Sequence, residues 1–183
     1  MAQETTTTTK KTTENFWVGF IKEVLIIIAI VALVEFFVIQ PFVIPTASMV
    51  PTIQIGDRVL ALKFVYYQNG PQRGDIVVFK APPTSGINAV LIKRTIGLPN
   101  ENIKIVKDKG VYINGKLLDE KYVNEIPAYD MPELKLGTDE YFMMGDNRNN
   151  SADSHIWGPL QKKNVIGKAV VRFWPLNRLG SVK

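Results

Sequence analysis

Ser48 lies in the run Ile44-Pro45-Thr46-Ala47-Ser48-Met49-Val50-Pro51-Thr52. Prolines on both sides stiffen the backbone where a hydroxyl has to be held for attack. A serine hydroxyl also needs a base to take its proton. The chain contains one histidine, His155, and Asp153 stands too near it in sequence to be an easy triad partner. No Gly-x-Ser-x-Gly elbow occurs, and the residues after Ser48 do not follow a Ser-x-x-Lys spacing. Lys93, in Leu91-Ile92-Lys93-Arg94-Thr95-Ile96, is the other candidate base. With an ordinary pKa near 10.4, only about 0.4 per cent of a lysine is neutral at pH 8. It must therefore be buried to serve, and Leu91, Ile92 and Ile96 offer an apolar setting. Thr46 and the Ser48 backbone N–H could together donate to an oxyanion. Each residue also has an ordinary reading, Ser48 as a turn residue and Lys93 as a surface lysine on a half-buried strand.

The densest polar stretch is Gly145-Asp146-Asn147-Arg148-Asn149-Asn150-Ser151-Ala152-Asp153-Ser154. A hairpin loop satisfied by its own Asx turns would look like this. A calcium cage is disfavoured, because the EF-hand spacing fails and Arg148 sits among the carboxylates. Asp146 and Asp153 with Arg148 read as a salt-bridged scaffold that leaves Ser151 free to bond a catalytic partner.

What must position these residues begins with the N-terminal third. Residues 1–15 are polar, include the run Thr5 to Thr9, and are expected to form a disordered tail. Residues 16–40 read as a transmembrane anchor: Trp17 to Ile39 would span about 35 Å as a helix, against a hydrocarbon core of about 30 Å. Lys22, Glu23 and Glu35 lie toward its ends, where charge costs least. A cleaved signal peptide and a surface amphipathic helix are the alternatives. The segment runs into Gln40-Pro41-Phe42-Val43-Ile44-Pro45 rather than into a small-residue cleavage site, and Pro41 is expected to end the helix near Ile39. Lys10, Lys11 and Lys22 lie on its N-terminal side, and the first basic residue after it is Arg58. That bias puts the N-terminus in the cytoplasm and residues 41–183 outside. Phe42, Val43, Ile44, Met49 and Val50 prolong the apolar character, so the Ser48 loop is expected to rest on the bilayer.

The 183 residues carry a net charge of +5 and no cysteine, which excludes a disulfide framework, a cysteine nucleophile and thiolate metal sites. No acidic residue follows Asp153, whereas Lys162, Lys163, Lys168, Arg172, Arg178 and Lys183 do. Such a tail suits anionic lipid, nucleic acid or simple solvation. No nucleic-acid signature is present, and beside an anchor the lipid reading is the better one.

Past residue 55 short strands alternate with turns: Arg58 to Phe64, Asp75 to Lys80, Val90 to Ile96, Ile103 to Lys107, Val111 to Ile113, Lys116 to Leu118, Tyr141 to Met144 and Val165 to Phe173. Asn114-Gly115 predicts a two-residue hairpin. Glu125 to Gly137, with Pro127 and Pro132, reads as an extended loop. The fold class is mainly β, a sandwich or partly open barrel of short antiparallel strands behind a single membrane helix.

Five segments, in order, resemble the bacterial type I signal peptidases, membrane-anchored Ser-Lys proteases. They are Pro45 to Thr52, Gly56-Asp57, Arg73-Gly74-Asp75-Ile76-Val77, Lys93-Arg94-Thr95-Ile96-Gly97-Leu98-Pro99, and Gly145 to Ser154. The resemblance implies that Ser48 is the nucleophile, Lys93 the general base and Ser151 the group orienting the lysine amine. It implies an oxyanion hole from the Ser48 amide and the Thr46 hydroxyl, a structural polar loop containing Asp146, Arg148 and Asp153, and Arg94 as an ion-pair partner. It further implies a mostly β fold whose variable second lobe, about 103–139, is small. No cofactor or metal is implied, and the partners are signal-peptide-bearing preproteins and membrane lipid, with no nucleic acid. The membrane is a cell membrane, with the thylakoid membrane as an alternative. His155 stands where the family usually has arginine, which puts an Asp153–arginine bridge within this loop in question. The implied reaction is removal of signal peptides after small residues. Two alternatives are a Ser-Lys maturation protease for one dedicated membrane substrate and a non-catalytic, membrane-tethered β-domain.

Overall fold

The computed structural model describes residues 5–182, with side chains from Phe16 onward except Phe36. The chain separates into two compact units, Met1–Val38 and Ile39–Lys183.

The first unit is one helix, α1 (Thr5–Phe37). Within it Phe16–Glu35 is 20 residues, long and apolar enough to cross a membrane. Leu25, Ile27, Ile28 and Leu33 are each more than half exposed, so the helix is apolar on all sides, as a lipid-facing helix must be. The helix runs back to Thr5, through much of the segment expected to be disordered. Once a helix is nucleated each further residue adds a hydrogen bond, which carries it through weak helix formers. Residues 1–4 of the expected tail lie outside the described residues.

The helix ends earlier than the sequence suggests, at Phe37, with Val38 N donating to Val34 O at 2.8 Å. Ile39–Val43 is then a strand, β1, and not the end of the anchor. Pro41 explains both facts. Its ring disfavours helix at the residue before it, and its missing N–H is tolerated on the edge of a sheet.

The remaining strands are β2 (Arg58–Leu62), β3 (Ile76–Lys80), β4 (Val90–Gly97), β5 (Asn102–Val106), β6 (Gly110–Ile113), β7 (Lys116–Leu117), β8 (Met131–Lys135) and β9 (Glu140–Met144). A short helix α2 (Ser154–Trp157) follows, then β10 (Leu160–Gln161), β11 (Val165–Trp174) and β12 (Gly180–Ser181). The pairings are antiparallel. A large sheet has the order β1-β2-β11-β3-β4-β9-β10, with β12 beside β11, and a small one has the order β7-β6-β5-β8. The mainly β, antiparallel expectation therefore holds.

The large sheet is covered on both faces, which is why β3 reads as an unbroken apolar run. Ile76 and Val78 join Met49, Ile53, Val59 and Ala61 in one cluster. Val77 and Phe79 join Tyr141, Met143, Trp157 and Leu160 in another. A third cluster joins the sheets, with Ile96, Phe142 and Met144 packed on Ile103, Ile105, Val111 and Ile113.

The hairpin at Asn114-Gly115 forms as expected, with φ of 48° and 78°, between β6 and β7. The expected loop over Glu125 to Gly137 does not hold throughout, because β8 lies within it. Ile103 pairs with Leu134 and Ile105 with Met131, so β8 carries an extra residue as a bulge. That bulge removes the period-two pattern by which a strand is recognised.

Phe142 is fully buried in the cluster between the sheets. Phe142→Ala should destabilise the protein by about 3–5 kcal/mol. Leu117→Ala, at an exposed position, should stay within about 0.5 kcal/mol. Urea unfolding of the detergent-solubilised chain compares the two.

Candidate active site

Ser48 sits in a single 3-10 turn, Ala47–Met49, that is anchored by apolar neighbours. Ile44, Met49 and Ile53 are all buried in the cluster beneath β3. The expectation that this stretch rests on the bilayer is thus wrong for Ile44 and Met49, whose side chains turn into the core. Val43 alone of the five is largely exposed. Packing against the core holds the turn and presents Ser48 with 7% of its surface accessible.

Lys93 reaches the same point from β4, where it pairs with Val77 of β3. Its Nζ donates to Ser48 Oγ at 2.6 Å. The side chain is 3% exposed, and burial brings its pKa from 10.5 down to about 8. The charges of Asp153 and then Asp146 oppose that fall. Once the amine is neutral the same contact can reverse, with the hydroxyl donating to nitrogen. Thr46 precedes the turn without capping it, and its Oγ1 lies 3.3 Å from Ser48 Oγ.

The polar loop clasps this pair from the other side. Asn147 N donates to Ser48 O at 3.1 Å, and Asn147 Nδ2 to Ala47 O at 3.2 Å. Gly145 lies between Ser48 and Ser151, and a Cβ there would overlap the Ser48 carbonyl oxygen and the Ser151 side chain. Among the described residues, Ser151 Oγ is buried without a hydrogen-bond partner. Proximity of Ser151 to the Ser48 loop is therefore present, whereas a hydrogen bond to the lysine is not.

Arg94 ion-pairs with Asp146, as expected. Nε donates to Oδ1 at 2.8 Å and Nη2 to Oδ2 at 2.7 Å, and Thr52 Oγ1 donates to the same carboxylate at 2.5 Å. The scaffold differs from expectation at Arg148. It pairs with Glu120, Nη1 to Oε2 at 2.6 Å and Nη2 to Oε1 at 2.7 Å, and not with the two aspartates. Glu120 supplies the planar two-point partner that a guanidinium prefers. Tyr122 completes the arrangement, its hydroxyl donating to Glu120 Oε1 at 2.7 Å while Arg94 stacks 3.9 Å from its ring centroid.

Asp153 has His155 in place of an arginine partner. Asp153 Oδ1 is 2.7 Å from His155 Nδ1, and Oδ2 accepts from Gly145 N at 2.9 Å. The His155 ring stacks on Tyr129 with centroids 4.2 Å apart. The sequence reading missed Glu120, Tyr122 and the Asn147 clamp. The need of a buried guanidinium for a carboxylate was the only signal, and it does not say which carboxylate. Among the described residues no group of three or more His, Asp or Glu is arranged to hold a metal.

A serine and a lysine buried together, with donors beside the serine, form a site for acyl transfer. The signal peptidase, peptidase S26, family matches residues 17–174. Probable signal peptidase I-2 of Synechocystis sp. is 40% identical over 185 residues, covering 98% of this chain and 84% of that protein. Signal peptidase I of Leptolyngbya laminosa is 44% identical over 153 residues, covering 80% of this chain and 74% of that protein. Thylakoidal processing peptidase 1 of Arabidopsis thaliana is 38% identical over 148 residues, with 76% and 43% covered. The chain belongs to the signal peptidase family, peptidase S26. It is a serine endopeptidase, anchored by its N-terminal helix, that removes signal peptides from preproteins.

Gly145→Ala tests how tightly the loop is fitted. The added methyl must push the Ser48 turn and Ser151 apart, which should lower kcat by about 10²-fold and stability by about 1–3 kcal/mol. Unchanged kcat in a folded Gly145→Ala protein would show that the close approach is not needed.

Proposed function

We propose that Ser48 is the nucleophile and Lys93 the general base of this peptidase. The observation that carries the reading is the 2.6 Å contact between two buried side chains, with burial holding the lysine near a mildly alkaline pKa. Neutral Lys93 takes the Ser48 proton as Oγ attacks the scissile carbonyl. The resulting ammonium protonates the leaving amine, and a water deprotonated by Lys93 then releases the acyl-enzyme. The Ser48 N–H and Thr46 Oγ1 donate to the oxyanion, a role supported by the nearness of Thr46 to Ser48 and by its freedom from capping.

Ser151 orients the lysine amine. Support comes from its buried, unpartnered Oγ beside Gly145, since a hydroxyl left unpaired there costs about 1–3 kcal/mol unless a donor reaches it when the site is in use. Arg94, Asp146, Arg148 and Asp153 hold the loop. Substrates carry small residues at the minus-one and minus-three positions, in keeping with signal-peptide cleavage sites. The N-terminus is cytoplasmic and the β-domain lies on the far side of the membrane, in contact with lipid; the lysines before the span support this orientation.

Ser48→Ala and Lys93→Ala should each abolish cleavage of a preprotein, and full activity in either variant would sink the assignment. The wild-type rate should rise with pH to a midpoint near 8, because the amine must lose its proton to act. A rate that does not fall on acidification through this range would overturn lysine as the base.

Lys93 should also burden the fold. Its folded pKa lies below its unfolded one, so stability falls as pH drops toward 8 and the full penalty, roughly 3 kcal/mol, applies at pH 7. Lys93→Met should therefore be inactive yet more heat-stable than wild type at pH 7, as measured by thermal unfolding.

A further inference from the structure

A cavity of about 140 Å³ opens beside the Ser48 turn, lined by Val50, Asn124, Glu125, Asp146, Asn147 and Arg148. Two of its walls are tied directly to the nucleophile. Val50 closes the turn that carries Ser48, with its N–H on Ala47 O, and Asn147 binds the carbonyls of Ala47 and Ser48. Because Val50 and Asn147 are both hydrogen-bonded to the turn that carries Ser48, the cavity lies beside the path of a substrate crossing Ser48.

The charges around the cavity do not cancel. Asp146 is matched by Arg94, and Arg148 by Glu120, each through two hydrogen bonds. Glu125 takes part in no ion pair among the described residues, and its Oε2 accepts only from Asn149 Nδ2, at 3.2 Å. The polar loop nevertheless fixes its position. Asn149 also donates to Ile126 O at 3.2 Å and accepts from Ala128 N at 2.8 Å, so the segment bearing Glu125 is held against the loop that clamps Ser48. The lining thus includes the apolar Val50 and the carboxylate of the exposed Glu125, which takes part in no ion pair among the described residues. That combination suits a side chain with an aliphatic stem and a cationic tip.

We propose that this cavity is the subsite for a basic residue of the preprotein on the leaving side of the scissile bond, with Glu125 selecting it. The inference rests on Ser48 and Lys93 being the reacting pair. The leaving side follows from chemistry, since the small minus-one and minus-three residues need shallow apolar pockets and gain nothing from a carboxylate.

The test uses the full-length protein in detergent and matched preprotein peptides with Lys or Glu at the first or second residue after the cleavage site. The readout is the Lys-to-Glu ratio of kcat/KM within each protein, so that a general loss of activity cancels. Wild type should favour Lys by about fivefold, the scale of one exposed charge pair. The ratio should fall toward one in 1 M salt, where the screening length is about 3 Å. Glu125→Gln should bring it to one in ordinary buffer, and Glu125→Lys should invert it. Equal cleavage of both peptides by wild type, a Lys preference that Glu125→Gln retains, or a charge preference confined to residues before the cleavage site would each overturn the proposal. Failure of the catalytic assignment is separate, because it appears as cleavage by Ser48→Ala whatever Glu125 does.

Discussion

A lysine amine held out of water against a serine hydroxyl is the constraint on which the rest of the β-domain depends. Burial favours the neutral amine, but the loop that buries it brings two carboxylates, Asp153 and Asp146, that favour the ammonium. Burial wins because neither carboxylate is left bare. Asp146 receives two hydrogen bonds from Arg94 and one from Thr52, and Asp153 receives Gly145 N and the His155 side chain. Buried ion pairs of this kind add little net stability, since desolvation offsets much of the attraction. Their contribution here is geometric. They satisfy the polar loop while letting burial hold the lysine pKa down to about 8.

Antiparallel pairing supplies the geometry. Successive residues of a strand point to opposite faces, so Lys93 and Arg94 address different partners from adjacent positions on β4. Lys93 pairs with Val77 and reaches Ser48, while Arg94 stands opposite Ile76 and Met144 and reaches Asp146. Slipping β4 by one residue would exchange the two roles. The clusters on both faces of β3 make such a slip costly, because Ile92 would leave the cluster it shares with Val78.

Much of this was legible in the sequence, for identifiable reasons. Runs of β-branched residues and the Asn114-Gly115 turn are local signals, and they led to most of the strands. Ser48, Lys93, Thr46, Ser151, Arg94 and the two aspartates were found because their motifs are short and ordered along the chain. What escaped depends on distant partners. β1 was hidden by Pro41, which reads as a helix terminator before it reads as an edge-strand residue, and β8 by a bulge that breaks its alternation. The Glu120 pair with Arg148 closes a sequence separation of 28 residues, and no pattern within either segment announces it. In the sequence Ile44 and Met49 look bilayer-facing, because hydrophobicity does not say whether the buried side is lipid or core.

That last distinction bears on how Ser48 is kept in place. If the Ser48 turn were held by membrane contact, its position would vary with the lipid, and an Oγ-to-Nζ distance of 2.6 Å would be hard to maintain. Met49 is instead fully buried among Ile53, Val59 and Ala61, and Asn147 fixes the Ser48 carbonyl from the opposite side. Two clamps of different character, one apolar and one polar, act on adjacent atoms of the same turn. Close-packed cores deform little, so the apolar clamp sets where the turn lies. The polar clamp sets how it is rotated, because hydrogen bonds weaken steeply with angle. The run from Ile44 to Ile53 provides both kinds of control, with Ile44, Met49 and Ile53 packed in the core and the Ala47 and Ser48 carbonyls held by Asn147.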